Sequence, residues 1–417
     1  MDPLTQGLIA AAAAQLTSGH RLGRRSALIG TVAGVLPDAD VFIHSSTDPL
    51  LAVEYHRQFT HSLAFIPIGG AMAALPFLFF SKDRKAVLAA AVAGYATHGL
   101  LDACTTYGTQ LLWPFSRTRV AWDTISIIDP LFTLALLIAV VVGSRRSAAA
   151  ALVFCALYLS IGLSQRERAS GVQQRLAALR GHERVRAEVF PTVGNHLVWR
   201  SLYDSGGTLH ADRLRVPWFG AARVATGARV DGYELPPRLR ANQRAARDFE
   251  RFRWFSAGWV ALDPRDPAVI GDVRYSMRTE AFEPIWGVRL EPETQWVNRS
   301  RDRSLSIGDL WREIDGSDPR YKPVERTGHH PSRPLIIRNA RVGARPGMIV
   351  IIEGGTILGV EPADGVVPPP DSEIIDAGGH ELIALPGSSI EEGQLANMQL
   401  VARGRVVMTI RNGGVYR

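Results

Sequence analysis

Six apolar runs within the first 165 residues constrain the fold of this chain more than any other feature. The runs 63–80 and 147–164 are each 18 residues long, close to the roughly 20 residues that a helix needs to cross a bilayer. The first two runs are shorter, which fits helices that are tilted, re-entrant or packed inside a bundle. The sequence therefore predicts six membrane-embedded helices, with a soluble helical bundle as the alternative. The runs are 3–16, 26–36, 63–80, 86–101, 130–143 and 147–164.

The basic residues between these runs predict an orientation. Loops 18–25, 81–85 and 144–146 hold eight Lys and Arg residues, whereas loops 38–60 and 103–127 hold three. Because the more basic loops of a membrane protein remain in the cytoplasm, we expect a multi-pass membrane protein whose loops 38–60 and 103–127, and whose residues 166–334, are extracytoplasmic. No cleavable signal peptide is visible, since Met1-Asp2-Pro3 lacks a basic region.

Composition changes along the chain predict a multi-domain protein: an α-helical membrane-embedded bundle, a soluble α+β domain and a small all-β sandwich-like module. Strand-like alternation at 186–235 and a helical pattern at 237–254 support the α+β assignment. A Pro-, Arg- and Ser-rich linker contains His329 and His330, where we expect no dedicated metal site. The predicted segments are 1–165 (bundle), 166–316 (α+β), 317–334 (linker) and 335–417 (all-β).

Bulk properties exclude some classes of function. The net charge is +7, but no basic stripe with interleaved aromatic residues stands out, so nucleic-acid binding is not expected. The two cysteines, Cys104 and Cys155, have no CxxC partner, which argues against a disulfide framework or a thiolate zinc site.

Polar residues that chemistry could use cluster at one predicted end of the bundle. His98 and Asp102 are four residues apart and share one helix face. Asp38 and Asp40 follow the helix-breaking Pro37. Mixed imidazole and carboxylate ligands suit zinc, and also manganese or iron, so we predict one or two divalent ions, with zinc favoured. The predicted ligands are Asp38, Asp40, His61, His98 and Asp102.

Other residues nearby receive supporting roles. His56, Arg57 and Asp40 are predicted to be catalytic, with Arg57 neutralising a developing anionic oxygen. Thr60 and Asp129 are predicted to hold ligands in place. Each feature also has a structural interpretation: an interhelical hydrogen bond at His98 and Asp102, a turn at the two aspartates, and a helix cap at Thr60.

These residues also carry a family resemblance. Over residues 1–165 the pattern resembles the YdjM-like family of inner-membrane metal-dependent hydrolases. The resemblance implies a metal-dependent hydrolase. Many relatives have histidine where this chain has Gln6, which removes one ligand. The matching elements are Pro37-Asp38-x-Asp40, His56-Arg57-x-x-Thr60-His61-Ser62, His98-x-x-x-Asp102, Gly108 and Pro114-Phe115-Ser116.

The C-terminal module is similar to the β-sandwich that accompanies the catalytic barrel in the amidohydrolase superfamily. Matching stretches are 335–342, 352–357 and 375–379. In that superfamily the barrel follows a Pro-Gly, but here Pro386-Gly387 leads directly into 388–399, which we expect to form strand. The resemblance implies a sandwich without its barrel or metal ligands.

The leading hypothesis is an integral membrane hydrolase that uses a metal-activated water on a phosphoester or other ester, in a small or lipid-like substrate. Membrane lipids are the expected surroundings. The alternative is a non-enzymatic membrane scaffold or regulator-binding protein whose polar cluster is structural.

Overall fold

The computed structural model describes residues 1–301, 306–324, 333–364, 366–369, 371–411 and 413–416. The central part of the predicted linker, including His329 and His330, lies outside these residues. Two compact units are formed. The first comprises Met1–Ser170, Arg186–Gly220 and Ala225–Asp318, and the second comprises Gly171–Val185, Ala221–Val224 and Pro319–Arg417.

The N-terminal region is helical and largely apolar, as predicted. Its helices start at residues suited to that position: the Asp2 carboxylate accepts from the backbone of Thr5 and Pro3 fills the first turn of α1. The α-helices are α1 (Pro3–Leu22), α2 (Arg25–Val35), α3 (Leu51–Tyr55), α4 (Ile66–Leu78), α5 (Arg84–Ala103), α6 (Pro130–Val142) and α7 (Arg145–Leu179). Short 3₁₀ segments are Leu36–Phe42, Phe59–His61 and Leu63–Phe65.

Fewer helices than the predicted six have the length and apolar composition of a membrane span. Among the described residues α5 and α7 qualify, and the pair Leu51–His61 and Leu63–Leu78, bent by 57°, would make a third. Helix α1 is buried from Thr5 to Gln15, so it serves as a core helix of the bundle. A count of six spans therefore remains a prediction.

Helix α7 is longer than expected. The apolar run predicted to end at 164 continues without a break into a charged segment, and the two form one helix of 35 residues. The predicted domain boundary after residue 165 falls inside this helix, and residues 186–220 and 225–318 belong to the same compact unit as 1–170.

Small residues let the helices of the bundle approach closely. A Cβ at Gly30 would lie 2.4 Å from the Ala10 carbonyl oxygen, and one at Gly94 would lie 2.9 Å from the Cα of Gly30. A Cβ at Gly99 would lie 2.1 Å from the carbonyl oxygen of His61. These contacts bring α1, α2, α5 and the 59–61 turn to one place.

Mixed helix and sheet follow the bundle, in agreement with the predicted α+β character. Strands β1 to β4 are consecutive neighbours, and β5 to β8 form a second antiparallel sheet. The strand Asp266–Asp272 ends where the Asp272 carboxylate accepts from the backbone and side chain of Arg274. The strands are β1 (Arg186–Pro191), β2 (Val198–Ser205), β3 (Thr208–Arg215), β4 (Arg223–Asp231), β5 (Val260–Asp263), β6 (Asp266–Asp272), β7 (Trp286–Arg289) and β8 (Gln295–Asn298). The helices are α8 (Pro237–Arg240), α9 (Gln243–Phe255) and α10 (Ile307–Asp315).

Helix α9 joins this region to the bundle. Its Phe249, Phe252 and Phe255 share one apolar core with Leu50 and Val53, which lie at the start of and within α3. The chain that leads to His56 and Arg57 is therefore packed on residues beyond the bundle.

The described residues from 335 onward are strands and turns around one apolar core that includes Ile337, Val350 and Ile410. The sheet has the order β12-β11-β10-β14-β15-β16-β17, with β13 parallel to β10. Residues 388–397 precede the strand expected there, which begins at Met398. The strands are β9 (Lys322–Pro323), β10 (Leu335–Val342), β11 (Arg345–Glu353), β12 (Thr356–Pro362), β13 (Glu373–Asp376), β14 (Glu381–Ala384), β15 (Met398–Ala402), β16 (Arg405–Arg411) and β17 (Gly414–Tyr416).

Candidate metal centre

Three local structures supply the predicted ligands. Pro37 follows the end of α2, and the tight 3₁₀ segment Leu36–Phe42 carries Asp38 and Asp40. The 3₁₀ turn Phe59–His61 carries His61. His98 and Asp102 lie one turn apart on α5, as the four-residue spacing predicts.

Four of the five predicted ligands converge. Asp38, His61, His98 and Asp102 each offer one atom, and these atoms all lie within 4.8 Å of one another. The Nε2 atoms of His61 and His98 are 2.9 Å apart. Asp38 Oδ1 lies 3.5 Å from His61 Nε2 and 3.3 Å from His98 Nε2. Asp102 Oδ2 lies 3.4 Å and 3.6 Å from the same two nitrogens.

In each histidine, the hydrogen bond made by the other ring nitrogen, Nδ1, fixes the tautomer. His98 Nδ1 donates to the carbonyl oxygen of Gly34. His61 Nδ1 lies 2.9 Å from Thr60 Oγ1, whose hydroxyl donates to Asp40 Oδ2 at 3.0 Å. In the neutral form both Nε2 atoms then carry lone pairs that face the same point, which is the arrangement of imidazole ligands around a metal.

The donor set fits a divalent ion. Two lone pairs that face each other repel unless a proton or a metal ion lies between them, and Asp102 Oδ2 is buried with no hydrogen-bond donor of good geometry. A tetrahedral ion with bonds of about 2.0–2.1 Å separates its ligand atoms by about 3.3 Å, close to the 2.9–3.6 Å measured here. The residues therefore could hold a metal, whose identity this geometry leaves open.

Asp40 lies beside this group and holds its neighbours. Its Oδ1 accepts from His56 Nδ1 at 2.8 Å, and its Oδ2 accepts from the backbone N–H of Arg57 at 3.0 Å. A second group of potential ligands is formed by Asp38, Asp40 and His56. Asp40 is thus placed to orient both His56 and His61, or to bridge toward a second ion.

The carboxyl groups of Asp38 and Asp40 are ionised. Burial would raise the pKa of the Asp38 carboxyl, but hydrogen bonds from His61 and His98 outweigh burial and hold this pKa well below its usual range. Burial likewise would raise the pKa of Asp40, and His56 and His61 hold it well below its usual range. Ionised carboxylates are the form that binds metals.

Arg57 contacts the group from the inner side and is 5% exposed. Its Nε lies 3.0 Å from Asp102 Oδ2, and its Nη1 donates to Thr105 Oγ1 at 2.9 Å. Its backbone has φ of 63°, a left-handed conformation that is strained for a non-glycine residue. In this position Arg57 lies against the Asp102 carboxylate and balances its charge; its contact with a developing oxyanion remains a prediction.

Two buried groups contact the other carboxylate oxygen of Asp102, Oδ1. Gln6 Nε2 donates to Oδ1 at 2.8 Å, and the amino group of Met1 contacts the same atom. Gln6 therefore lies at the centre as an orienting donor, although the sequence indicated it only as a missing ligand.

The two residues predicted to support ligands lie in different places. Thr60 links Asp40 to His61, and its carbonyl oxygen accepts from Tyr95 at 2.7 Å. Asp129 caps α6 and accepts from the Tyr158 hydroxyl at 2.8 Å. None of the described contacts joins Asp129 to the four ligand candidates.

Sequence reasoning missed several supporting groups: the Gly34 carbonyl, Thr105 and Tyr95. A main-chain carbonyl leaves no sequence signal. The spacing of Thr105, three residues after Asp102, could have indicated that both belong to one helix end.

Arg251 of α9 fixes the chain that precedes His56. Its guanidinium donates to both carboxylate oxygens of Glu54 at 2.8 and 2.9 Å, and to both oxygens of Asp48 at 2.9 and 2.8 Å. Such a fork-shaped pairing fixes direction as well as distance.

In the comparisons with known proteins, only the region of the helical bundle has a match. No curated protein and no solved structure matches the chain, so the amidohydrolase-like character of 335–417 remains a prediction. Residues 1–169 match the family model described as YdjM inner membrane protein. Together with the two apolar helices long enough to cross a bilayer, this match indicates the inner membrane. The N-terminal 169 residues are therefore similar to the YdjM inner membrane proteins.

Proposed function

We propose that this chain is a membrane-embedded, divalent-metal-dependent hydrolase. The observation that supports the proposal is the convergence of two imidazole nitrogens and two carboxylate oxygens from Asp38, His61, His98 and Asp102. A divalent ion bound by these atoms would supply a Lewis acid and a water of lowered pKa for attack on a phosphoester or other ester.

The centre has an exposed edge where a substrate could enter. The side chains of Asp38 and His56 are 25% and 24% exposed, whereas those of His61, His98 and Asp102 are at most 1% exposed. Substrate therefore approaches over Asp38 and His56, and the remaining ligands stay out of water.

His56 is the group best placed to move a proton. Asp40 Oδ1 holds its Nδ1 at 2.8 Å, which leaves Nε2 to accept or donate a proton at the exposed edge. The ring also packs edge-on against Tyr107, with centroids 5.4 Å apart. Arg57 and Gln6 hold the Asp102 carboxylate in its orientation behind the centre.

The competing hypothesis is a scaffold whose polar cluster only holds the helices together. Full-length protein purified in detergent should contain stoichiometric divalent metal by elemental analysis, and His98→Ala and His61→Ala should lose it. His44→Ala is the matched control, because His44 is exposed and contacts only its own loop.

Measurements of hydrolysis distinguish a residue that binds the metal from a residue that transfers a proton. His56→Gln should retain metal yet lose about 100-fold or more of the hydrolysis of a chromogenic phosphodiester or ester. Wild-type protein without metal after careful handling would support the scaffold, as would metal-loaded protein that hydrolyses neither type of ester.

A further inference from the structure

Helix α7 carries an exposed apolar stripe that ends before a charged segment. Val153, Leu157 and Ile161 are exposed and spaced by four residues, so they form one stripe along a helix long and apolar enough to cross a membrane. Arg168 is exposed and follows Ile161 by seven residues, on the same stripe. At about 1.5 Å per residue it lies about 10 Å beyond Ile161 along the helix axis, and an arginine near the end of a spanning helix can extend its guanidinium to the lipid headgroups.

A loop from another part of the chain is fixed to this level. Gln165 Nε2 donates to the Val216 carbonyl oxygen at 3.0 Å, and Arg168 donates to that of Pro217 at 2.8 Å. The Arg168 guanidinium also lies 5.8 Å from the ring of Trp218. We call residues 216–220 the interfacial loop.

The interfacial loop presents aromatic side chains outward. Trp218 is 45% exposed and Phe219 is 92% exposed. Burial of an exposed phenylalanine in an apolar environment is favourable, and tryptophan favours the membrane–water boundary. A bilayer is the occupant that fits, because the patch continues the exposed apolar stripe of α7, a helix long and apolar enough to span.

We infer that the interfacial loop inserts Trp218 and Phe219 into the headgroup region of the bilayer, with Arg168 pairing with lipid phosphates. The candidate metal centre lies at the same end of the bundle. Gly162 of α7 packs on the carbonyl oxygen of Thr124. The backbone N–H of Thr124 donates to the carbonyl oxygen of Cys104, which lies two residues after Asp102. The inference does not depend on metal or on hydrolysis.

The test uses a site-specific label in the full chain. Both native cysteines are buried, so a new surface cysteine can be labelled selectively. We would attach an environment-sensitive fluorophore to Phe219→Cys and reconstitute the protein in phosphatidylethanolamine–phosphatidylglycerol vesicles that contain headgroup-proximal nitroxide lipids. The matched control is Thr208→Cys at the opposite end of β3, about 23 Å away along the strand.

Quenching by the nitroxide lipids should be several-fold stronger at position 219 than at position 208, with a blue-shifted emission at 219. Equal, weak quenching at both positions would overturn the inference. So would shielding at 219 that depends on the protein-to-lipid ratio, because a second copy of the chain would then be the occupant.

Discussion

The Nε2 atoms of His61 and His98 face each other across 2.9 Å, and each ring is held by a hydrogen bond on its far side. The two nitrogens repel each other unless a proton or a metal ion lies between them, and only a metal ion could bind both of them together with Asp38 and Asp102. Chelation should therefore lower the thermal stability of the detergent-solubilised protein, and zinc should restore it. At a free metal concentration 100 times the Kd, the gain is about 2.7 kcal/mol. A melting temperature that changes with neither chelator nor zinc would count against a metal ion between these two histidines. In the His98→Ala variant, the melting temperature should not respond to either reagent.

Asp40→Asn should weaken metal binding without abolishing it. The carboxylate orients His56 directly and His61 through Thr60, and loss of such an orienting partner costs about 10–100-fold in metal affinity. Competition with a fluorescent chelator measures the change. Complete loss of metal at saturating concentration would instead identify Asp40 as a ligand. His44→Ala serves as the neutral reference.

Gly99→Ala should damage the centre through packing alone. The new methyl group would lie 2.1 Å from the His61 carbonyl oxygen, so the 59–61 turn must move. We expect destabilisation of about 1–3 kcal/mol and reduced metal content. Gly171→Ala is the control, since nothing lies within 4 Å of its Cβ position on α7. That substitution should be neutral or stabilise by up to about 1 kcal/mol; equal effects would refute the packing argument.

Arg251→Lys should loosen the segment that carries His56. Lysine keeps the charge but cannot make the four hydrogen bonds to Asp48 and Glu54. We expect a loss of about 1–3 kcal/mol in the free energy of unfolding, which a double-mutant cycle with Glu54→Gln should show to be coupled. Arg247→Lys on the same helix is largely exposed and should change little. Additive effects of the two substitutions would contradict direct pairing.

Asp123 should make stability depend on pH in mild acid. Burial raises the pKa of its carboxyl to about 6, although a hydrogen bond with Thr106 and the charge of Arg166 both act to lower this pKa. Because the folded state keeps this proton at a pH where the unfolded state has released it, stability falls as pH rises from about 4 to about 6 and is level above that. The full loss is about 3 kcal/mol at 1.36 kcal/mol per pKa unit. Asp123→Asn should remove this slope in chemical unfolding curves; an unchanged slope would exclude Asp123 as its source.

The sequence predicted well where pattern and spacing act locally. The four-residue spacing of His98 and Asp102 placed both on one helix face, and Pro37 ended α2 so that Asp38 could turn toward them. Strand β10 begins and ends at the predicted residues, Leu335 and Val342, because alternation and flanking turns define it.

Long-range packing was beyond that reasoning. The contact of Arg57 with Asp102 joins residues that are far apart in the sequence, so residue type and spacing could not predict it. The same holds for Asp129, whose carboxylate accepts from the hydroxyl of Tyr158, 29 residues later. Hydropathy alone could not show that α7 continues without a break past residue 165.

Leu50 and Val53 belong to a core whose other buried members lie between residues 235 and 290, far beyond the 169 residues that match the family model. A fragment that stops at residue 169 would leave these two side chains facing water and Glu54 without Arg251. In this chain the segment that leads to the candidate metal centre is therefore held in place by residues beyond the family-matched region, so removing those residues would also remove contacts that support the centre.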